Sequence, residues 1–238
     1  MKFGPIIDRL LHPRARFYRH VLSLGYNCEV SFQFYRTFRF VESNVFAWVN
    51  TMTVDNLICA LADIDRIGSE GWAFEGVMWR DVSTGIWFHG KTPMDVWTSG
   101  RYTQSDLDAD RIELEGRVAH LKKKFLEVAR DGRSKLFVFK YPPDETPDVN
   151  RVGKIHDVLV KLCEGPTDLL VVLEERMLPA LKDADLPPGV LTASVSHYTP
   201  VKQATAVELS DVDGWRRIWK GFRPLRRIFK KKKFKFEN

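Results

Sequence analysis

Three apolar runs in the second half of the chain decide its fold: KLFVFK at 135–140, DLLVVLEE at 168–175 and GVLTASVS at 189–196. Each run has the length of a buried strand, and helical patterns at 150–163 and 177–182 separate them. The run VLSLG at 21–25, followed by a helical pattern at 28–38, adds one more unit of this kind. Helices between short apolar strands are typical of a mostly parallel sheet covered on both faces. The sequence therefore predicts an α/β fold, a single three-layer domain with a mostly parallel sheet flanked by helices.

Helical periodicity also predicts elements outside those units. Thr53 to Ile64 and Ser105 to Arg130 both have apolar residues on one face, and each begins at a residue that can cap a helix. Residues 67–100 are rich in Gly and Trp, which predicts irregular structure with short strands. We expect a short strand at 202–210 and a closing helix at 212–222.

The length of 238 residues fits one domain of this class, and 44% hydrophobic residues are enough to build a core. We divide the chain into a basic N-terminal segment at 1–17, the α/β domain at 18–222 and a basic aromatic tail at 223–238. The sequence contains no apolar run of the roughly 20 residues that a membrane-spanning helix needs. The N-terminus also lacks the apolar region of a signal peptide, so the expected compartment is the cytoplasm.

The net charge of +6 is unevenly distributed. Residues 214–238 carry eleven Lys and Arg and one acid, which leaves 26 bases and 30 acids in the rest of the chain. The sequence pI of about 9.2 therefore belongs to the tail and is poor support for a nucleic-acid-binding surface over the whole domain.

Aromatic residues alternate with bases in residues 215–236, and this pattern has three interpretations. It fits an anionic membrane surface, which would place the protein peripherally at the inner membrane face. Nucleic acid is a less favoured acidic partner. The third interpretation is a solvated tail after one docked helix, with Trp215 and Trp219 in the core.

The chain has three cysteines, Cys28, Cys59 and Cys163. An odd number without a signal peptide argues against a disulfide framework. The sequence has no CxxC pair and no HExxH, so we predict no metal site. It also lacks a GxGxxG or Walker motif, and nucleotide binding at the Gly25-Tyr26-Asn27 turn is only weakly indicated. We therefore predict no cofactor.

Cys28 is the first candidate catalytic residue, because it lies at a strand–turn–helix junction. Ligands of open α/β sheets bind beyond the carboxyl ends of the strands. A helix N-terminus lowers the pKa of a thiol and offers N–H groups that can hold an oxyanion. Asn27 could add a side-chain donor to that oxyanion hole. The alternative is a buried structural cysteine.

Two histidines follow predicted strands and are candidate general bases. His89 ends the run GIWFH and precedes Gly90, which suits a side chain facing a cleft. His197 lies in Ser196-His197-Tyr198 after a later strand and is the rival base. Asp81 is a candidate carboxylate to orient His89.

Three segments resemble one bacterial family: VLSLGYNCEV at 21–30, SNVFAWV at 43–49 and TGIWFHG at 84–90. The family, DUF1796, has no established function and its members are described as papain-like cysteine peptidases. The resemblance extends over residues 18–222 and implies that Cys28 is the nucleophile and His89 its base.

The chain departs from the family pattern at two positions. Ala47 and Gly90 stand where that family has Asp residues, so Asp81 or Asn44 would have to orient His89. Papain-like proteins also continue into an antiparallel sheet, whereas the periodicity of this chain favours α/β.

The sequence thus predicts a cysteine-nucleophile enzyme with peptidase- or amidase-type chemistry, acting on an acyl- or peptide-like substrate through Cys28 and His89. One alternative is an acyltransferase in surface polysaccharide modification, because its first half-reaction is the same. The other is a non-catalytic α/β module that binds a small ligand and is tethered to a membrane by its basic tail.

Overall fold

The computed structural model describes residues 15–181, 184–200 and 207–225. The strands are β1 Arg16–Tyr18, β2 His20–Ser23, β3 Val49–Asn50, β4 Trp72–Glu75, β5 Met78–Asp81, β6 Trp87–Phe88, β7 Lys135–Lys140, β8 Thr167–Glu174, β9 Val190–Val195 and β10 Phe222–Pro224. The α-helices are α1 Glu29–Phe38, α2 Val54–Ala62, α3 Met94–Thr98, α4 Gln104–Ala129, α5 Val149–Leu162 and α6 Val212–Gly221. Short 3-10 helices lie at Ile64–Arg66, Glu175–Ala180 and Val207–Leu209.

A four-stranded parallel sheet in the order β2-β7-β8-β9 forms the centre of the molecule. Every residue of β7 is buried, as expected of a central strand in a sheet covered on both faces. In the register of the sheet, Leu22 lies beside Phe137 and Val138 beside Leu170. The predicted α/β fold is confirmed.

Helices cover both faces of this sheet. On one face, Phe34 of α1 packs edge-on against Trp219 of α6, with ring centroids 5.2 Å apart, and both residues line a small cavity with Val138. On the other face, Phe125 of α4 packs against Phe137. Successive residues of a strand point to opposite faces, so Phe137 and Val138 divide the core into two halves.

A second, antiparallel sheet in the order β3-β6-β5-β4 lies beside the first. Its inner face includes Val49, Phe88 and Trp79, which are paired across three strands and buried. The sequence predicted only irregular structure and short strands for 67–100, because strands of two to four residues carry too little periodicity to be grouped into a sheet.

Helix starts follow local capping chemistry. Thr53 caps α2 as predicted, accepting a hydrogen bond from the N–H of Asn56. The prediction that Ser105 caps α4 is wrong: Thr103 is the cap and forms a reciprocal capping box with Asp106. In the described part of 202–210 the chain forms a 3-10 helix rather than a strand, and 201–206 lie outside the described residues.

The ends of the domain are joined by a parallel pair, in which β1 lies beside β10. The α/β domain was predicted to begin at residue 18 and end at residue 222. Since β1 begins at Arg16 and β10 ends at Pro224, the strand pair crosses both predicted boundaries. Trp215 and Trp219 are both 1% exposed, so they belong to the core and are not free to enter a membrane. Residues 1–14 and 226–238, with most of the tail, lie outside the described part. In the described ranges, no helix has the length and apolar character to cross a membrane.

A buried histidine holds the amino-terminal edge of the parallel sheet to neighbouring loops through hydrogen bonds. The two ring nitrogens of His20 lie 2.5 Å from a carboxylate oxygen of Glu42 and 2.8 Å from one of Asp131. Burial lowers the pKa of His20, but the hydrogen bonds and charges of the two carboxylates outweigh it and raise that pKa above 6.5. The protonated ring therefore ties β2 to two loops.

We expect this contribution to stability to depend on pH. Because the folded-state pKa is raised, the contribution is complete below about pH 6.5, the value for an unfolded chain, and is lost as pH rises through the folded-state pKa. Urea unfolding of the wild type and His20→Gln should therefore differ most near pH 6, with the difference shrinking towards pH 9. A difference that stays constant from pH 6 to 9 would contradict a charged His20.

Candidate functional site at the carboxyl edge of the parallel sheet

A tight turn carries the chain from β2 into α1. Gly25 has φ of +84°, which favours glycine, and an added Cβ would lie 3.2 Å from side-chain atoms of Val49 and Thr51. The side-chain oxygen of Asn27 accepts a hydrogen bond from the N–H of Glu29 at 3.1 Å. This hydrogen bond to the side-chain oxygen fixes the start of α1, and donation to an oxyanion by the side-chain nitrogen of Asn27 stays a prediction.

The side chain of Lys140, the last residue of β7, lies in the interior of the protein beside this turn. Its ammonium donates to Oε2 of Glu29 at 2.5 Å and to Oδ1 of Asn27 at 3.3 Å. Lys140 is 1% exposed and Glu29 is fully buried. The residues immediately before and after Cys28 therefore hold one buried positive charge.

The carboxylate of Glu29 has further donors, as a buried charge requires. The N–H of Thr199, in the loop after β9, donates to Oε2 at 3.1 Å. The indole N–H of Trp215 in α6 donates to Oε1 at 2.9 Å. Glu29 thus joins α1 to β7, to α6 and to the loop after β9.

Two tyrosine rings enclose the ammonium of Lys140. Its Nζ lies 4.2 Å from the ring centroid of Tyr198 and 5.4 Å from that of Tyr26, within the range of cation–π attraction. The Tyr198 hydroxyl donates to the carbonyl of Val172 at 2.7 Å. Burial raises the pKa of Tyr198 well above 10, so this hydroxyl stays neutral.

The thiol of Cys28 differs from the prediction in its ionisation. Burial raises its pKa to about 11, although a backbone hydrogen bond and the charge of Lys140 act in the opposite direction. The expectation of a thiolate stabilised by the helix N-terminus is therefore wrong for the free protein. The reason is that desolvation of the sulfur outweighs the nearby positive charges.

His89 directly follows β6; part of its surface is exposed to solvent, and neighbouring protein atoms partly desolvate its ring. Desolvation of the ring and the charge of Arg117 lower its pKa below 6.5, so at neutral pH the imidazole is an unprotonated acceptor. No hydrogen bond or charge contact joins His89 to Cys28 in the described ranges. Phe88 pairs with Val49 of β3, and β3 adjoins the turn through the hydrogen bond from the N–H of Thr51 to the carbonyl of Tyr26. β3 therefore connects the two predicted catalytic segments.

A carboxylate from α4 occupies the space beside Gly90. A Cβ at residue 90 would lie 1.9 Å from Oδ2 of Asp110. Asp110 accepts hydrogen bonds from the N–H groups of Lys91 and Thr92, both at 2.8 Å, and from the indole N–H of Trp79 at 2.7 Å. Sequence reasoning missed this residue, because nothing local indicates that α4 packs against the turn after β6.

The other predicted site residues do not contact Cys28 in the described part of the chain. The carboxylate of Asp81 accepts hydrogen bonds from Ser83 and Thr84 in the loop after β5 and from the N–H of Gly68 in the segment before β4. His197 is exposed, and its ring nitrogens contact the hydroxyl of Ser196 and the carbonyl of Leu209. Asn44, the alternative to Asp81, accepts a hydrogen bond from the N–H of Phe46. None of these groups orients His89 through a hydrogen bond.

Comparison with known proteins adds no assignment, since no family model, curated protein or solved structure matches the chain. The resemblance drawn from the three short motifs therefore stays a prediction. The three cysteines are free thiols. Within residues 15–181, 184–200 and 207–225, no cluster of His, Cys, Asp and Glu has the arrangement of a metal site.

We expect removal of the buried negative charge to destabilise the protein strongly. Glu29→Gln leaves the ammonium of Lys140 buried without its counter-charge, which typically costs about 3–5 kcal/mol of unfolding free energy. The matched control is Glu75→Gln, which breaks an exposed ion pair of similar length, 2.6 Å to Arg80, and should cost less than about 1 kcal/mol. Equal losses for the two variants in urea unfolding would contradict a buried ion pair at Glu29.

Proposed function

We propose that the protein is a cysteine-nucleophile enzyme that acts on an acyl or amide bond through Cys28. One observation carries the proposal: Cys28 lies at the carboxyl edge of the parallel sheet, between the two residues that hold the buried ammonium of Lys140. This edge is where α/β folds bind ligands. Charged groups kept in the interior of such an edge are typical of functional sites.

The proposed reaction begins when Sγ of Cys28 bonds to the carbonyl carbon and the carbonyl electron pair moves to oxygen. N–H groups in the first turn of α1 would stabilise that oxyanion. The intermediate then collapses, the bond to the leaving amine or alcohol breaks, and the leaving group takes up the proton lost by the thiol. Water hydrolyses the thioester and restores the thiol, whereas an acceptor alcohol would complete an acyl transfer.

Deprotonation of the thiol has to accompany attack, because the thiol is neutral in the free protein. The ammonium of Lys140 favours the thiolate as negative charge develops on sulfur. The unprotonated imidazole of His89, which follows a strand of the neighbouring sheet, stays the candidate acceptor of the thiol proton once substrate is bound. It would then pass this proton to the leaving group. Hydrolysis is the outcome that the family resemblance favours, and transfer in surface polysaccharide modification is the alternative.

A second function is favoured by the raised pKa of Cys28 and by the lack, among the described residues, of a base hydrogen-bonded to it. In this alternative the same edge binds a small ligand without reaction, and the basic tail attaches the module to the inner membrane face. The two functions differ in their need for the sulfur atom.

We expect Cys28→Ser to abolish hydrolysis of p-nitrophenyl acetate, measured as release of p-nitrophenolate, while Cys163→Ser retains it. Cys163 is the matched control because burial raises its pKa to about 11 as well. His89→Ala should lower the rate by about 10²–10⁴-fold if His89 is the base. Unchanged hydrolysis in Cys28→Ser would leave the binding module as the function.

The raised thiol pKa predicts a specific pH dependence of alkylation. Only the thiolate reacts, and its fraction grows about tenfold per pH unit below a pKa of about 11. The rate of Cys28 alkylation, followed by peptide mass spectrometry, should therefore rise about tenfold per unit from pH 7.5 to 10. A plateau below pH 9 would show that the thiol is ionised at lower pH than the structure indicates.

A further inference from the structure

We infer that the hydroxyl groups of Thr51 and Thr199 form a subsite beside Cys28 that binds oxygen atoms of an uncharged acyl or amide substrate. This inference rests on the proposed function and names the substrate class of the same site. Thr51 is fully buried and Thr199 is 2% exposed. Neither hydroxyl has a hydrogen-bond partner in the described part of the chain.

Both threonines are anchored to the turn that carries Cys28. The N–H of Thr51 donates to the carbonyl of Tyr26 at 3.0 Å. The N–H of Thr199 donates to the carboxylate of Glu29 at 3.1 Å. The backbone of Thr51 is therefore bonded to the backbone two residues before Cys28, and the backbone of Thr199 to the side chain of the residue after it.

Burying a hydroxyl without a partner is unfavourable, and folded proteins leave few such groups. Thr84, in the loop after β5, shows the ordinary solution: its buried hydroxyl donates to Asp81. Two partnerless hydroxyls on segments that are hydrogen-bonded to the same turn indicate that a bound molecule supplies the missing partners. Carbonyl and hydroxyl oxygens are the atoms that threonine hydroxyls bind.

The charges around the turn favour an uncharged substrate. Lys140 is neutralised by Glu29, and Glu174, which accepts from the N–H of Tyr198, is paired with Arg176 at 2.6 Å. Among the residues described, the cations of this edge are paired, so none is left to compensate an anionic ligand, and the carboxylate of Asp144 near Tyr26 would repel one. An anionic substrate would lose its hydration without gaining a counter-ion, so esters and amides are favoured over carboxylates.

Alkylation by iodoacetamide, a neutral amide, tests the subsite directly in the full chain. We expect Thr51→Val and Thr199→Val each to lower the rate constant at Cys28 about fivefold, the worth of one hydrogen bond. The rate at Cys163 should not change and is the internal control. An unchanged rate at Cys28 in both variants would overturn the inference.

Unfolding in urea distinguishes a substrate-binding hydroxyl from a structural one. Thr51→Val and Thr199→Val remove a group that has no partner in the free protein, so the urea midpoint should rise or stay the same. Thr84→Val removes a bonded hydroxyl from Asp81, so its midpoint should fall. A fall of similar size in the Thr51 and Thr199 variants would show that their hydroxyls have structural partners and would also overturn the inference.

Comparison of iodoacetamide with iodoacetate tests the preference for an uncharged substrate. The ratio of the two rates should be higher at Cys28 than at Cys163, which lies near the ammonium of Lys135. An equal or lower ratio at Cys28 would refute the uncharged class. Failure of the proposed function would give a different pair of results. Cys28→Ser would still hydrolyse the ester, even though the threonine variants slow alkylation of Cys28.

Discussion

The ion pair between Lys140 and Glu29 is the interaction on which the carboxyl edge of the sheet depends. Two opposite charges lie in the interior, where their attraction offsets the loss of hydration only if further hydrogen bonds satisfy both groups. Asn27, Thr199 and Trp215 supply those bonds. One buried charge pair therefore fixes the end of β7, the start of α1, the loop after β9 and the helix α6 relative to each other.

The same pair determines what the neighbouring thiol can do. The positive charge of Lys140 and the start of α1 both favour a thiolate at Cys28, but Glu29 compensates that charge and burial removes water from the sulfur. Desolvation therefore has the larger effect, and the thiol rests in its neutral form. If Cys28 is the proposed nucleophile, its thiol has to lose its proton when the substrate binds, rather than in the free protein.

Part of this site could be predicted from the sequence and part could not. Cys28 was found because a strand, a glycine turn and a helix follow one another in the chain. Lys140 and Glu29 were missed because they are 111 residues apart and meet only through the register of β2 with β7. A lysine ending an otherwise apolar strand was the available signal, but it is equally typical of a strand that ends in solvent. Asp110 was missed for the same reason, since it reaches Gly90 from a separate helix.

The sequence by itself determined the α/β class, the parallel strands and most helix starts, such as the Thr53 cap, because periodicity and capping are set by residues a few positions apart. The tertiary structure alone decided the antiparallel sheet, since strands as short as Val49–Asn50 have no readable period. It also decided the neutral state of Cys28 and placed His89 out of hydrogen-bonding contact with it. Ionisation and contact both depend on which distant segments pack around a side chain, and no local pattern contains that information.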